Sequence, residues 1–133
     1  GEAARLAAET ALAAGAPPLL LRGDAVGALP GALDRVPAGA LPVVTTTWAL
    51  ARLSPARREA LRGGLQEAAA GRAVAWVSVE GVGVAPGVPT LGDRPASGHS
   101  TVGVTEGDRC PLRAGAVGRC WSRGRTLSWL AGP

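Results

Sequence analysis

The hydrophobic and polar positions in the middle of the chain predict a strand, a helix and a second strand. Residues 41–47 form a short β-branched run, and residues 73–79 form a second apolar run of strand length, as is typical of strands buried on both faces. Between them, Ser54 and Pro55 indicate an N-cap followed by proline at the first helical position, and the helix should run to about Gly71. A strand, a crossover helix and a strand predict a parallel unit.

The segments before this unit predict two helices and one more strand. Residues 2–14 are rich in alanine and precede a Gly-Ala-Pro-Pro stop signal, which predicts a helix. Residues 19–22 are a short apolar run followed by Gly and Asp24, which predicts a strand with an acid at its carboxyl end. Residues 29–36 are closed by Pro37 and predict a helix of about two turns.

The pattern changes after the second strand of the central unit. Residues 80–100 are rich in Gly and Pro and lack a helical period, so they predict a long loop, either a functional cover or a disordered segment. Apolar runs at 101–104, 116–121 and 126–130 predict antiparallel strands, and the link at 122–125 is typical of a hairpin turn. The sheet is therefore expected to be parallel at first and antiparallel at its end.

Composition narrows the class of protein. The chain has 133 residues, enough for one domain. It contains no Lys, Ile, Asn, Phe, Tyr or Met, and these residues have AT-rich codons, which indicates a GC-rich gene. The net charge of +4 comes from scattered arginines that such a gene readily encodes, and this scatter argues against nucleic-acid binding.

Cysteine content, chain start and hydropathy add three expectations. Cys110 and Cys120 lack CxxC spacing and are accompanied by a single His, so we expect reduced structural cysteines and no metal site. The chain begins at Gly1 and contains no Met, so we expect further strands of its domain upstream. No apolar run approaches the roughly 18 to 20 residues of a membrane span, and a signal peptide is not visible, which favours a cytoplasmic protein without a membrane partner.

The order of elements resembles the second half of a class I S-adenosylmethionine-dependent methyltransferase fold. More narrowly, the stretches at 17–24, 43–50, 53–55 and 74–81 resemble a bacterial family known as domain of unknown function 2332. The resemblance implies an α/β, three-layer Rossmann-like partial sheet with parallel strands and an antiparallel C-terminal hairpin region. Residues 1–133 would be the C-terminal portion of this single domain, with the first strands and the glycine-rich cofactor turn upstream.

The same resemblance implies the function of the full-length protein. It implies S-adenosylmethionine-dependent methyl transfer there, while this chain alone is expected to be inactive and to bind no cofactor. The alternative is a non-catalytic Rossmann-like module that uses the 80–100 loop to hold a small-molecule or protein partner. An exposed sheet edge is expected to favour self-association.

Four residues at strand ends are candidates for the site. By resemblance, Asp24 accepts a hydrogen bond from the adenine amino group; the alternative is a cap of the following helix. Thr46 and Thr47, like Thr45 before them, can present hydroxyls to the cofactor or can be ordinary strand residues. Glu80 follows a strand and adjoins a glycine loop, so it is a weak candidate for a catalytic base, with a solvated charge or an ion pair to an arginine as the alternative.

Other residues carry weaker signals. Trp48 can wall the pocket, although packing under the Ser-Pro helix is the commoner use of such a residue. Trp76 has apolar neighbours and should be buried in its strand. His99 is the only histidine and lacks an identified partner in the sequence. The arginines of the last hairpin can bind an anion or be solvated: Arg119, Arg123 and Arg125.

Overall fold

The computed structural model describes residues 1–121 and 124–130, and within them the chain forms a mixed α/β fold around one five-stranded sheet. The first two strands are parallel, and each later neighbouring pair is antiparallel, as the sequence predicts for the two parts of the sheet. The order across the sheet is the order along the chain: β1 (Val43–Thr47), β2 (Val74–Gly81), β3 (Ser100–Gly107), β4 (Arg113–Trp121) and β5 (Thr126–Trp129).

The described residues form three α-helices: α1 (Glu2–Gly15), α2 (Ala25–Asp34) and α3 (Pro55–Ala69). The predicted start of α3 is confirmed, because the Arg57 amide donates to Ser54 Oγ at 3.3 Å. Helix α2 begins earlier than the predicted position 29. Its N-cap is Asp24, which satisfies an amide of the first turn and so moves the start forward.

Helices α2 and α3 cover one face of the sheet over β1 and β2. Trp76 lies at the centre of the resulting core with 1% of its surface exposed, so its predicted burial is confirmed. The buried side chains around it come from both helices and from β2, and include Leu29, Leu33, Leu61, Leu65 and Val74. This amphipathic packing explains the leucine spacing of the two helices.

The glycine-rich loop between β2 and β3 packs over the same face of the sheet. Val82 and Ala85 are buried, and Val88 approaches β3 so closely that a β-carbon on Gly103 would lie 2.6 Å from its Cγ2 atom. Glycine is required at that point of close approach. The sequence predicts either a cover or a disordered segment for this loop, and the structure shows it packed as a cover over the sheet.

The predicted strand at residues 19–22 is wrong. The three leucines of this run are 64%, 83% and 45% exposed, and the run joins no strand among the described residues. A strand forms only where its backbone amides and carbonyls are hydrogen-bonded to a neighbouring strand. The hydrophobicity of a short run does not ensure that such a neighbour is present. The parallel part of the sheet is therefore the pair β1 and β2, without the expected third member.

Two further expectations concern the ends of the chain. The hairpin turn predicted at 122–125 includes Ser122 and Arg123, which lie outside the described residues, whereas β4 and β5 pair antiparallel as expected. Helix α1 forms as predicted, but none of its residues is buried. Within the described part of the chain, the helices are too short or too polar to cross a bilayer.

Candidate functional site

An apolar cleft opens where the parallel strand β1 ends. It has a volume of about 270 Å³ and lies between α2, the end of β1 and the 3₁₀ turn Leu50–Arg52 that follows β1. Its walls are mainly the side chains of Ala28, Leu29, Val44, Ala49, Leu50 and Leu53. Ligands of open α/β sheets bind outside the carboxyl ends of the strands, so this cleft occupies the expected position.

Glu80 holds the turn that forms one side of the cleft. Its carboxylate is 1% exposed, and Oε1 accepts hydrogen bonds from the amides of Ala49 at 3.1 Å and Leu50 at 3.2 Å. These amides begin the 3₁₀ turn, so a residue of β2 caps an element that follows β1. The solvated loop charge considered for Glu80 is therefore wrong, and its observed task is to position the turn.

The second carboxylate oxygen of Glu80 and the hydroxyl oxygen of Thr101 are both buried. Thr101 lies directly opposite Glu80 in the antiparallel pairing of β2 and β3, so both side chains point to the same face. Neither Glu80 Oε2 nor Thr101 Oγ1 has a hydrogen-bond partner among the described residues, and both atoms are buried.

Trp48 lies between the end of β1 and the start of the same turn. Its backbone adopts a left-handed φ of +48°, its amide donates to the Val79 carbonyl at 2.9 Å, and its Nε1–H donates to Ser100 Oγ at 2.7 Å. The indole remains 43% exposed. Packing under the Ser-Pro helix, the commoner expectation for Trp48, is wrong because the hydrogen bond to β3 holds the ring at the end of the sheet.

Asp24 lies at the start of α2, immediately before Ala25, which lines the cleft. The Gly27 amide donates to its Oδ2 at 2.8 Å, and the Arg57 guanidinium pairs with the same oxygen. The hydrogen bond from Arg57, followed by that from Gly27, holds the pKa of the Asp24 carboxyl below its ordinary value of 3.8. Asp24 is therefore an ionised acceptor at neutral pH, and the capping role considered for it is observed.

The two threonines named as cofactor-binding candidates point to opposite faces of the sheet. Thr46 lines the cleft, and its Oγ1 accepts a hydrogen bond of 3.0 Å from Trp76 Nε1. Thr47 is the next residue of β1 and, because strand residues alternate, its exposed side chain points away from the helices. Thr46 therefore lines the cleft, Asp24 precedes the lining residue Ala25, and Thr47 is not part of the lining.

A second polar cluster fastens the loop to β4, and the sequence did not reveal it. Arg119 Nε donates to Asp93 Oδ2 at 2.7 Å, His99 Nε2 lies 3.0 Å from the same oxygen, and the His99 ring is tilted against Trp121 with centroids 5.3 Å apart. The hydrogen bond from Arg119 lowers the pKa of Asp93, and that from His99 adds to the effect. The partners are 26 residues apart, so no local spacing could identify them.

The structure also locates two of the three hairpin arginines and both cysteines. Arg119 is engaged by Asp93, so its guanidinium is not a free anion site, while Arg125 is exposed and Arg123 lies outside the described residues. Cys110 is exposed and Cys120 is buried, both as free thiols. In residues 1–121 and 124–130, no group of three or more His, Cys, Asp or Glu side chains is placed to hold a metal ion.

The chain thus forms a mixed α/β domain with an apolar cleft at the carboxyl end of its first strand. The chain belongs to the bacterial family described as "Uncharacterized protein conserved in bacteria (DUF2332)", whose family model matches residues 2–129. This confirms the narrower of the two resemblances seen in the sequence. No curated protein and no solved structure matches the chain.

Proposed function

We propose that this chain forms the adenine side of an S-adenosylmethionine site, and that the full-length protein is a methyltransferase with a three-layer Rossmann-like fold. The observation that carries the proposal is the apolar cleft at the carboxyl end of β1, with Asp24 beside it. The shape and chemistry of that cleft support the class of ligand, and both the cofactor and the reaction rest on the resemblance of the element order.

The size of the cleft suits a flat ring rather than a whole cofactor. Its volume of about 270 Å³ is below the range of roughly 300 to 1,000 Å³ that is usual for pockets enclosing a drug-sized ligand. Ala28 of α2 and Leu53, which follows the 3₁₀ turn, contribute apolar walls, and such walls suit the faces of an aromatic ring. The ribose and the methionine part would lie outside this cleft.

Two polar groups near the cleft can recognise the edge of an adenine ring. The Asp24 carboxylate is half-exposed and ionised, so it can accept a hydrogen bond from an exocyclic amino group. Thr46 Oγ1 already accepts from Trp76, which leaves its own O–H free to donate to a ring nitrogen. One acceptor and one donor match the Watson–Crick edge of adenine.

The described residues of the cleft would bind and orient the cofactor, and they do not supply a catalytic base. Glu80 is buried with Oε1 engaged by two backbone amides, so it fixes the turn rather than facing a substrate. S-adenosylmethionine, when bound, supplies an activated methyl group on a sulfonium sulfur. A cofactor held only at its adenine keeps much of its hydration and freedom, which is why we expect millimolar or weaker binding by this chain alone.

The test is calorimetric titration of S-adenosylmethionine into the full-length protein and three variants. Ala28→Trp fills the cleft and should weaken binding at least tenfold. Ala60→Trp places the same indole on an exposed position of α3 and should leave the affinity unchanged. Asp24→Asn replaces one carboxylate oxygen by an amide and should weaken binding by about tenfold, roughly the loss of one charge-assisted hydrogen bond.

Two results would contradict the proposal. Equal affinity of the Ala28→Trp and Ala60→Trp variants would show that the ligand binds elsewhere. Complete absence of heat with the full-length protein would favour the alternative, a non-catalytic module that uses the 80–100 loop, although that loop is held against β4 by Asp93 and Arg119.

A further inference from the structure

Trp48 adopts a backbone conformation that side-chain-bearing residues rarely take. Its φ of +48° lies in the left-handed region. A β-carbon crowds the backbone there, and glycine avoids this steric strain because it has no β-carbon. A bulky aromatic residue persists there only when its surroundings impose the conformation. The turn by itself would favour glycine at this position, so the presence of a tryptophan requires a separate explanation.

The surroundings impose it through three sets of hydrogen bonds. The Trp48 amide is held by the Val79 carbonyl at 2.9 Å, and the indole nitrogen is held by Ser100 Oγ at 2.7 Å. The next two amides of the chain are held by Glu80. The backbone and the ring of Trp48 are thus fixed independently, the first by β2 and the second by β3.

The ring is fixed but it is not buried. Trp48 is 43% exposed, whereas Trp76 in the core is 1% exposed. Trp129, on the edge strand β5, is 68% exposed and receives none of the hydrogen bonds that hold Trp48. An immobilised aromatic face has already lost its rotational freedom, so a ligand that stacks on it does not have to order it.

We propose that Trp48 is a stacking surface for a planar aromatic ring, at a site distinct from the apolar cleft. Trp48 is not among the residues that line the cleft, and its indole reaches across the end of β2 to Ser100 of β3. Offset stacking between flat rings is the contact that such a face offers. The ligand class is a planar aromatic group, and the site does not depend on the function proposed for the cleft.

The experiment uses the indole N–H signals of the 133-residue chain in two-dimensional ¹H–¹⁵N NMR spectra. Benzamide is the planar probe, and cyclohexanecarboxamide is the matched non-planar probe with the same amide and no charge. The signal of Trp129 provides an internal control for nonspecific attraction, because that indole is the more exposed of the two. The Trp48 signal is assigned in the parent protein from the contacts of its indole with Ser100, so the assignment itself requires no variant.

A stacking site predicts a saturable shift of the Trp48 signal with benzamide, with an affinity at least about threefold higher than that for cyclohexanecarboxamide and a shift at least about threefold larger than the benzamide shift of Trp129. Equal responses to the two amides, or a Trp129 response as large as that of Trp48, would overturn the proposal. Ser100→Ala frees the indole without removing it and should weaken benzamide binding severalfold, and an unchanged affinity would show that the fixed ring is not what the ligand uses.

Discussion

Replacement of Glu80 by alanine should destabilise the protein through one buried backbone amide. Leu50 is 1% exposed, and its amide donates to Glu80 Oε1 at 3.2 Å. Without that acceptor, the amide remains buried and unpaired, which costs about 1–3 kcal/mol. Ala49 is exposed, so water can replace the acceptor of its amide at little cost. With the lost packing of the side chain, we expect Glu80→Ala to lower the free energy of unfolding by about 2–4 kcal/mol.

Glu80→Gln separates the hydrogen bond from the charge. Glutamine keeps one carbonyl oxygen for the amides of Ala49 and Leu50, and it places its NH₂ group where Oε2 lies, opposite the Thr101 hydroxyl. Because Oε2 has no hydrogen bond among the described residues to lose, and a neutral amide is less costly to bury than a carboxylate, we expect the loss in this variant to stay below about 1 kcal/mol.

The assay is urea unfolding followed by circular dichroism, with the slope of free energy against urea checked for constancy. Glu106→Ala is the matched control, because Glu106 lies on the adjacent strand with 57% of its side chain exposed, and it should change the free energy of unfolding by less than about 0.5 kcal/mol. The reasoning is refuted if Glu80→Ala unfolds like the Glu106 variant, or if glutamine is as damaging as alanine.

Three further predictions concern the core and the loop. Trp76→Ala should cost roughly 3–5 kcal/mol in urea unfolding, and melting within a degree or two of the parent protein would contradict the packing described for β2. Gly103→Ala should cost about 1–3 kcal/mol, because its β-carbon meets the stiff side chain of Val88; unchanged stability would show that the loop does not press on β3. Asp93 has a depressed pKa, so its ionised form stabilises the folded state above the ordinary value of 3.8, and this stabilisation disappears as the pH falls through the lower folded value. The Tm of Asp93→Asn should therefore be lower than that of the parent protein at neutral pH and equal to it at the acid end of a series of thermal melts. A difference in Tm that persists at acid pH would contradict the ion pair.

The elements defined by local signals could be predicted from the sequence. Ser54 and Pro55 specify the start of α3 whatever surrounds them, and the capping bond of Ser54 is present. The parallel pairing of β1 and β2 follows from the length of the crossover. The run at residues 19–22 has the composition of a strand, yet strand pairing depends on a distant neighbour that composition does not specify.

The candidate site was predictable only in its position. The rule for open α/β sheets indicates the ends of β1 and β2, and the cleft is there. The roles of the side chains depend on contacts between distant parts of the chain: Glu80 caps a turn 30 residues earlier, and Arg119 holds Asp93 26 residues away. Such pairs have no spacing pattern, so Glu80 resembles a free strand-end acid in the sequence.

The measurement that tests the cleft most directly is an NMR experiment on intermolecular contacts with adenosine. The protein is selectively labelled at methyl groups, and adenosine is added at a concentration sufficient for weak binding. The account predicts contacts from the adenine H2 and H8 protons to the methyl groups of Ala28, Leu50 and Leu53, which lie on different walls of the cleft. Contacts to Leu6 or Leu12 of α1, which are 63% and 78% exposed, with none to the cleft methyl groups, would contradict it.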